Sequence, residues 1–207
     1  RINIAANAKP ANSVGVNSIV VGYQNTTDNE DGTTALGANN QAYGNSGLAV
    51  GNQNESRGGA STAIGAGNRA SGAATVAIGN VSNANAQSAI AIGSYNNVDW
   101  TKGTWQTAPK NAGAFSTVVG NYSSATGRES AAMGVYSNSV GPGSFAAGYK
   151  ENALGQNSVA IGSENTSHVA DTITLGQQNN AKTMGGISIG KNNLTDSADG
   201  NRGDVRR

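Results

Sequence analysis

A glycine returns at a nearly fixed interval along this chain, at Gly22, Gly37, Gly51, Gly65, Gly79, Gly93, Gly120, Gly134, Gly148, Gly162, Gly176 and Gly190. The steps between them are 15, then 14 four times, then 27, then 14 five times. A period held over twelve copies implies one supersecondary unit stacked on itself. In such a solenoid no coil buries its apolar side alone, and neighbours supply the missing half of the core.

Each repeat carries the same grammar. The residue before the glycine is Val21, Leu36, Val50, Ile64, Ile78, Ile92, Val119, Met133, Ala147, Ile161, Leu175 or Ile189. Two earlier stand residues such as Ile19, Val76, Ile90, Val159 and Ile173, with a small residue between. A period of two with β-branched residues means strand, here the four residues ahead of the glycine, as in Thr75 to Ile78, with the glycine turning the corner. The third residue after the glycine is Asn in eight coils, a residue that tolerates left-handed backbone angles. The fifth is small or β-branched, as in Ala42, Ala70 and Ala153, and marks a second strand. Two short strands per 14-residue coil give a flattened parallel β-roll, since a three-sided prism needs about 18 residues.

In that roll the Val, Ile and Leu side chains are expected inside, opposite the small residues of the second strand. The alternating column of Ala49, Ala63, Ala77, Ala91, Ala132, Ala146 and Ala160 then faces outward, where bare alanine suits close approach of another chain. The reverse assignment, alanine inside and Val/Ile at the interface, stays open, because alternation alone does not choose a face. Both predict an oligomer.

The period breaks twice. One extra residue lies in Asp28 to Gly32, and thirteen follow Val98, read as a protruding loop over 99–111. Residues 1–15 read as a degenerate first coil with Ala8 in the glycine slot. The head thus runs over 1–195, and 196–207 reads as a polar tail, mobile unless docked.

Composition closes off several functions. The net charge of +1 offers no field for nucleic acid or anionic lipid. The absence of cysteine removes disulfides and thiolate metal sites, and fits a chain that crosses an oxidising compartment unfolded. No apolar run approaches a membrane span and no signal peptide is visible, so the chain reads as a mature, soluble part of something larger, without direct membrane contact. His168 is the sole histidine and is read as a solvated turn residue, so neither a nucleophilic triad nor a His-based metal site is expected. Asp28, Glu30 and Asp31 lack the ligand alternation of a calcium loop. No cofactor and no enzyme activity are expected, and an ice- or sugar-binding array or a transferase is disfavoured because threonine columns are not sustained.

Binding features remain. Both tryptophans, Trp100 and Trp105, lie in the insertion, and Tyr95, Tyr122 and Tyr136 share the second turn slot of consecutive coils. Stacking should line up the tyrosines beside the root of the insertion. With Lys102 and Lys110 these residues form a candidate receptor surface, since insertions in repeat proteins often build the binding face. Arg202-Gly203-Asp204 is an integrin-type tripeptide in the tail.

The motif Asn157-Ser158-Val159-Ala160-Ile161-Gly162, the 14-residue period, the turn asparagine and the absence of cysteine resemble the heads of trimeric autotransporter adhesins, of the collagen-binding Yersinia adhesin A type. The resemblance covers about residues 1 to 195. It implies a left-handed parallel β-roll, three chains around one axis, and display on a Gram-negative cell surface through an outer-membrane anchor. It also implies attachment to host matrix proteins such as collagen, fibronectin or laminin, by multivalent contact of a rigid repetitive surface. A passive spacer without its own ligand is the alternative. Family necks carry an apolar signature that is not found after Gly190, and the tryptophan insertion is no part of the basic repeat.

Overall fold

The computed structural model describes residues 2–5, 15–27, 30–97, 111–196 and 204–205. The chain divides into two compact units, Arg1–Asn111 and Ala112–Arg207. In the first, the long strands Ile2–Ala5, Ile19–Tyr23, Thr34–Ala38, Leu48–Asn52, Thr62–Ala66, Val76–Asn80 and Ile90–Ser94 form one parallel sheet in chain order. The short strands Thr26–Thr27, Gln41–Ala42, Glu55–Ser56, Arg69–Ala70 and Asn83–Ala84 form the second. The other unit repeats the plan. Its long strands are Thr117–Asn121, Ala131–Val135, Phe145–Tyr149, Val159–Ser163, Ile173–Gln177, Ile187–Lys191 and Asp204–Val205. Its short ones are Ser124–Ala125, Asn138–Ser139, Asn152–Ala153, Thr166–Ser167, Asn180–Ala181 and Leu194–Thr195. Among the described residues there is no helix, and each unit is a parallel β-solenoid of the roll type.

Register follows the repeat. Val159 pairs with Ile173, Ala160 with Thr174 and Gly162 with Gly176, so each repeat position becomes a column. The first strand departs from expectation, with Ala5 rather than Ala8 opposite Gly22. At the other end Asp204–Val205 pairs with Ser188–Ile189, so part of the expected tail continues the sheet. The glycine is also not the corner. Long strands begin three residues before it and end one after it, and Gly162 lies inside Val159–Ser163 with φ +128°. The chain bends two residues after the glycine, where Gln24, Asn39, Gln53, Val81, Lys150, Glu164 and Gln178 hold φ of 50–60°.

The interior inverts the expected packing. Ala35, Ala49, Ala63, Ala77, Ala91, Ala132, Ala146 and Ala160 have no exposed surface, whereas the Val, Ile and Leu residues beside them point out. Opposite the alanines lie Ala42, Ser56, Ala70, Ala84, Ala125, Ser139, Ala153 and Ser167, equally buried. The physical reason is width. The sheets of a two-strand coil lie close together, and that gap is filled mainly by methyl and hydroxymethyl groups, with Val20, Val118 and Thr174 the larger side chains in the same inward column. Serines stitch the gap, as where the Ser56 and Ser61 hydroxyls meet at 2.6 Å and those of Ser139 and Ser144 at 2.6 Å.

The turn asparagine has a different task from the one its backbone tolerance suggests. Asn25, Asn40, Asn54, Asn68, Asn96, Asn165, Asn179 and Asn193 are buried, with at most 3% of their surface exposed, and the left-handed residue is the one before them. Asn54 Nδ2 donates to Val50 O at 2.9 Å, to Gly65 O of the next coil at 2.7 Å and to Asn40 Oδ1 at 3.0 Å. Its Oδ1 accepts from the backbone N–H of Asn68 at 3.1 Å and from Asn68 Nδ2 at 3.0 Å. Such a ladder satisfies polar groups that an apolar core would strand.

Candidate functional site

With the interior given to alanine, serine and asparagine, the outer faces are what the protein offers to partners, and the two sheets differ sharply. Outward positions on the short strands are polar in the main: Thr26, Gln41, Glu55 and Arg69 in the first unit, Asn138, Asn152, Thr166 and Asn180 in the second. Outward positions on the long strands form two apolar columns per unit, including Ile64, Ile78, Ile92, Met133, Ile161, Leu175 and Ile189. Exposure reaches 37% at Ile161 and 44% at Met133, high for side chains of that kind in ordered columns.

Of the two assignments the sequence left open, the structure has the alanines inside rather than outward. Ala49, Ala63, Ala77, Ala91, Ala132, Ala146 and Ala160 are sealed within their own chain and cannot touch another. The alternation is the same for either choice of face, so only packing could distinguish them.

The tyrosine column is only partly as expected. In the second unit the rings of Tyr122 and Tyr136 stack with centroids 5.1 Å apart and planes 20° apart. Tyr95 occupies the same slot in the first unit. All three hold φ near +56°, a strained place for a bulky aromatic, where other coils carry Gln24, Asn39, Gln53, Gly67, Val81, Lys150, Glu164, Gln178 or Asn192. Tyr149, not singled out from the sequence, extends the group by meeting Tyr136 edge-on at 6.4 Å and 81°. Its signal was available, since Tyr149 directly follows Gly148 and so must stand on the same outer edge.

The edge then turns ionic. Lys150 Nζ lies 5.0 Å from the centre of the Tyr149 ring and 3.6 Å from Glu164 Oε1. Glu164 Oε2 accepts from Gln178 Nε2 at 2.8 Å. The hydrogen bond to Tyr149 holds the Lys150 ammonium above its usual range, and the Gln178 bond holds the Glu164 carboxyl below its own. Tyr136 and Tyr149 are 47% and 44% exposed. Stacked aromatic faces beside a lysine can receive rings, aliphatic chains and carboxylates together.

Other candidates are placed as follows. Trp100, Lys102, Trp105 and Lys110 lie outside the described residues, as do Asp28, Arg202 and Gly203. Asp204 is placed as a strand residue, by its backbone alone. Asp31 Oδ1 is occupied by the backbone N–H of Val16 at 2.9 Å. His168 is exposed directly after the strand Thr166–Ser167, and its backbone N–H donates to Ala181 O of the next coil at 2.9 Å. Among the described residues, no group of three His, Cys, Asp or Glu could share a metal ion.

The family model of the YadA head domain repeat, two copies long, matches residues 13–40, 29–54, 56–82, 70–96, 125–150 and 152–167. The chain belongs to the YadA head repeat family. These YadA head repeats lie in both compact units and contain most of the asparagine ladder as well as Tyr136, Tyr149 and Lys150. Residues 97–124, with the insertion, fall between matched segments of the YadA head repeats. No curated protein matches the chain. The YadA head assignment makes the chain an adhesin-type head, built to present a surface.

Proposed function

We propose that this head works as a homotrimer on a bacterial cell surface, held there through an outer-membrane anchor, and attaches the cell to host matrix proteins such as collagen, fibronectin or laminin. The observation that carries the trimer is the asymmetry between the sheets. The long-strand sheet carries two largely apolar columns on its outer face, ahead of each glycine, while the outer face of the short-strand sheet is polar in the main. Columns of Ile, Val, Leu and Met stabilise an assembly by about 25 cal/mol for every Å² removed from water, and three chains packed on these columns would cover them. The polar sheet and the turn edges remain outward, and three copies of each supply avidity toward an extended ligand.

Within that surface we assign the concentrated contact to Tyr122, Tyr136, Tyr149 and Lys150 of the second unit, and we keep Tyr95, Trp100, Lys102, Trp105 and Lys110 as ligand-contacting residues on the ground of their sequence alone. The strain of tyrosines held at positive φ supports a role for them beyond packing.

Sedimentation of the chain is expected to show a trimer, and Ile161→Asp to shift it to monomer by placing a charge in the apolar column. Binding to immobilised collagen, fibronectin and laminin is expected for at least one of them. Tyr136→Ala with Tyr149→Ala should weaken that binding about tenfold or more without loss of the trimer. Trimeric protein that binds none of the three would favour a passive spacer, whereas binding that ignores these tyrosines and the two tryptophans would overturn the assignment of the contact residues.

A further inference from the structure

The ladder slot holds asparagine in eight coils, serine at Ser82, Ser123 and Ser137, and a single acid, Glu151. Glu151 has no exposed surface and is the bulkiest of the fully buried described side chains. Its Oε1 plays the part of the amide oxygen, accepting from Asn165 N–H at 3.4 Å and from Asn165 Nδ2 at 3.1 Å. Its Oε2 stands where the other rungs carry an NH₂ group, is buried, and receives no hydrogen bond. In the asparagine rungs that NH₂ serves two carbonyls, four residues back and eleven ahead, as Asn165 Nδ2 does with Ile161 O at 3.0 Å and Gly176 O at 2.8 Å. The corresponding carbonyls for Glu151 are those of Ala147 and Gly162, both acceptors. A carboxylate oxygen in that place would confront acceptors with no donor, whereas a carboxylic acid offers one O–H where the amide offered N–H.

We propose that Glu151 is kept as a neutral carboxylic acid whose Oε2–H completes the rung, which makes this coil a pH-sensitive fastening in an otherwise pH-indifferent ladder.

The surroundings agree. Above and below it stand Ser137 and Asn165, both uncharged, and the interior side chains of its coil and the next, Ala146, Ala153 and Ala160 with Ser144, Ser158 and Ser167, carry no charge either. The ionisable groups on its own turn are Tyr149 and Lys150, and Lys150 reaches across the exposed edge to Glu164, with no ion pair to Glu151. Burial pushes its carboxyl from 4.5 up to about 7, and the two bonds from Asn165 only partly oppose this. A folded value above the unfolded one fixes the sign. The stabilisation is fully present below pH 4.5 and is lost as the pH rises to about 7. Across that window the opening constant of the coil should rise by about two orders of magnitude.

The test uses the whole chain labelled with ¹³C-glutamate. The Glu151 carboxyl carbon is expected to titrate near neutrality, with protection of the Asn165 amide falling over the same window relative to that of Asn179. Glu151→Gln, which restores the amide, should remove that pH dependence while leaving protection at low pH unchanged. A Glu151 midpoint in the ordinary carboxylate range would overturn the proposal. So would a Glu151→Gln profile that follows the wild type. A midpoint that moves with sodium or calcium concentration would make the position a cation site instead, and overturn it as well.

Discussion

Gly162→Ala is expected to cost the roll about 4 kcal/mol or more, through backbone strain and a clash that no rotamer relieves. A Cβ on Gly162 would lie 2.0 Å from Gly176 O, 2.9 Å from Gly176 C and 3.1 Å from Asn165 Nδ2. Both backbones are fixed by the parallel ladder, so neither can retreat without breaking the Val159–Ile173 register. The φ of +128° adds strain that only glycine avoids. Gly185→Ala is the control. Its φ is +69° but nothing lies within 4 Å of the added methyl. Its cost should stay near 1 kcal/mol, the ordinary left-handed penalty. Denaturant midpoints of the two variants, with far-UV circular dichroism for the fold, check this. Equal losses at the two positions would mean that stacking does not make the glycine column obligatory.

The second large effect falls on the ladder. Asn54→Ala removes a side chain that takes part in five hydrogen bonds, three as donor and two as acceptor. Buried partners in two neighbouring coils lose a contact at once, so a loss of about 3–5 kcal/mol is expected. Asn54→Ser should lose less, about 1–2 kcal/mol, because a serine in this slot reaches the next glycine carbonyl. Ser82 Oγ does so with Gly93 O at 3.1 Å, and Ser137 Oγ with Gly148 O at 3.0 Å. Hydrogen exchange should locate the damage at the Asn40 and Asn68 coils. A serine variant as unstable as the alanine one would refute this account of the slot.

Much of this was legible before any coordinates. The glycine interval gave the stacked coil, and the residues flanking each glycine gave its strands, because a period of two with β-branched side chains has few other readings. The fifth-residue position correctly marked a second strand, as at Ala42 and Ala153. The asparagine slot was visible but misread. Tolerance of left-handed angles is a local property, while the bonds of Asn54 reach coils 11 and 14 residues away, and no local rule reports them. Tyr149 sits one slot before the tyrosine column, and only the stack shows that its ring reaches Tyr136 of the preceding coil. Glu151 was legible as an exception to the asparagine rule, but its protonation depends on burial and on which carbonyls surround it, both properties of the stack.

The sequence by itself determined the coil length, the parallel register and the columns, since a fixed period leaves each residue type only one partner above and below. It left undecided which alternate column faces in. Tertiary structure decided that for a reason of space. The asparagine ladder and the close pair of sheets favour small side chains such as Ala160 inside, with a valine admitted only at Val20 and Val118 among the described residues of that column, so the small residues became the core and most of the large ones the outer wall.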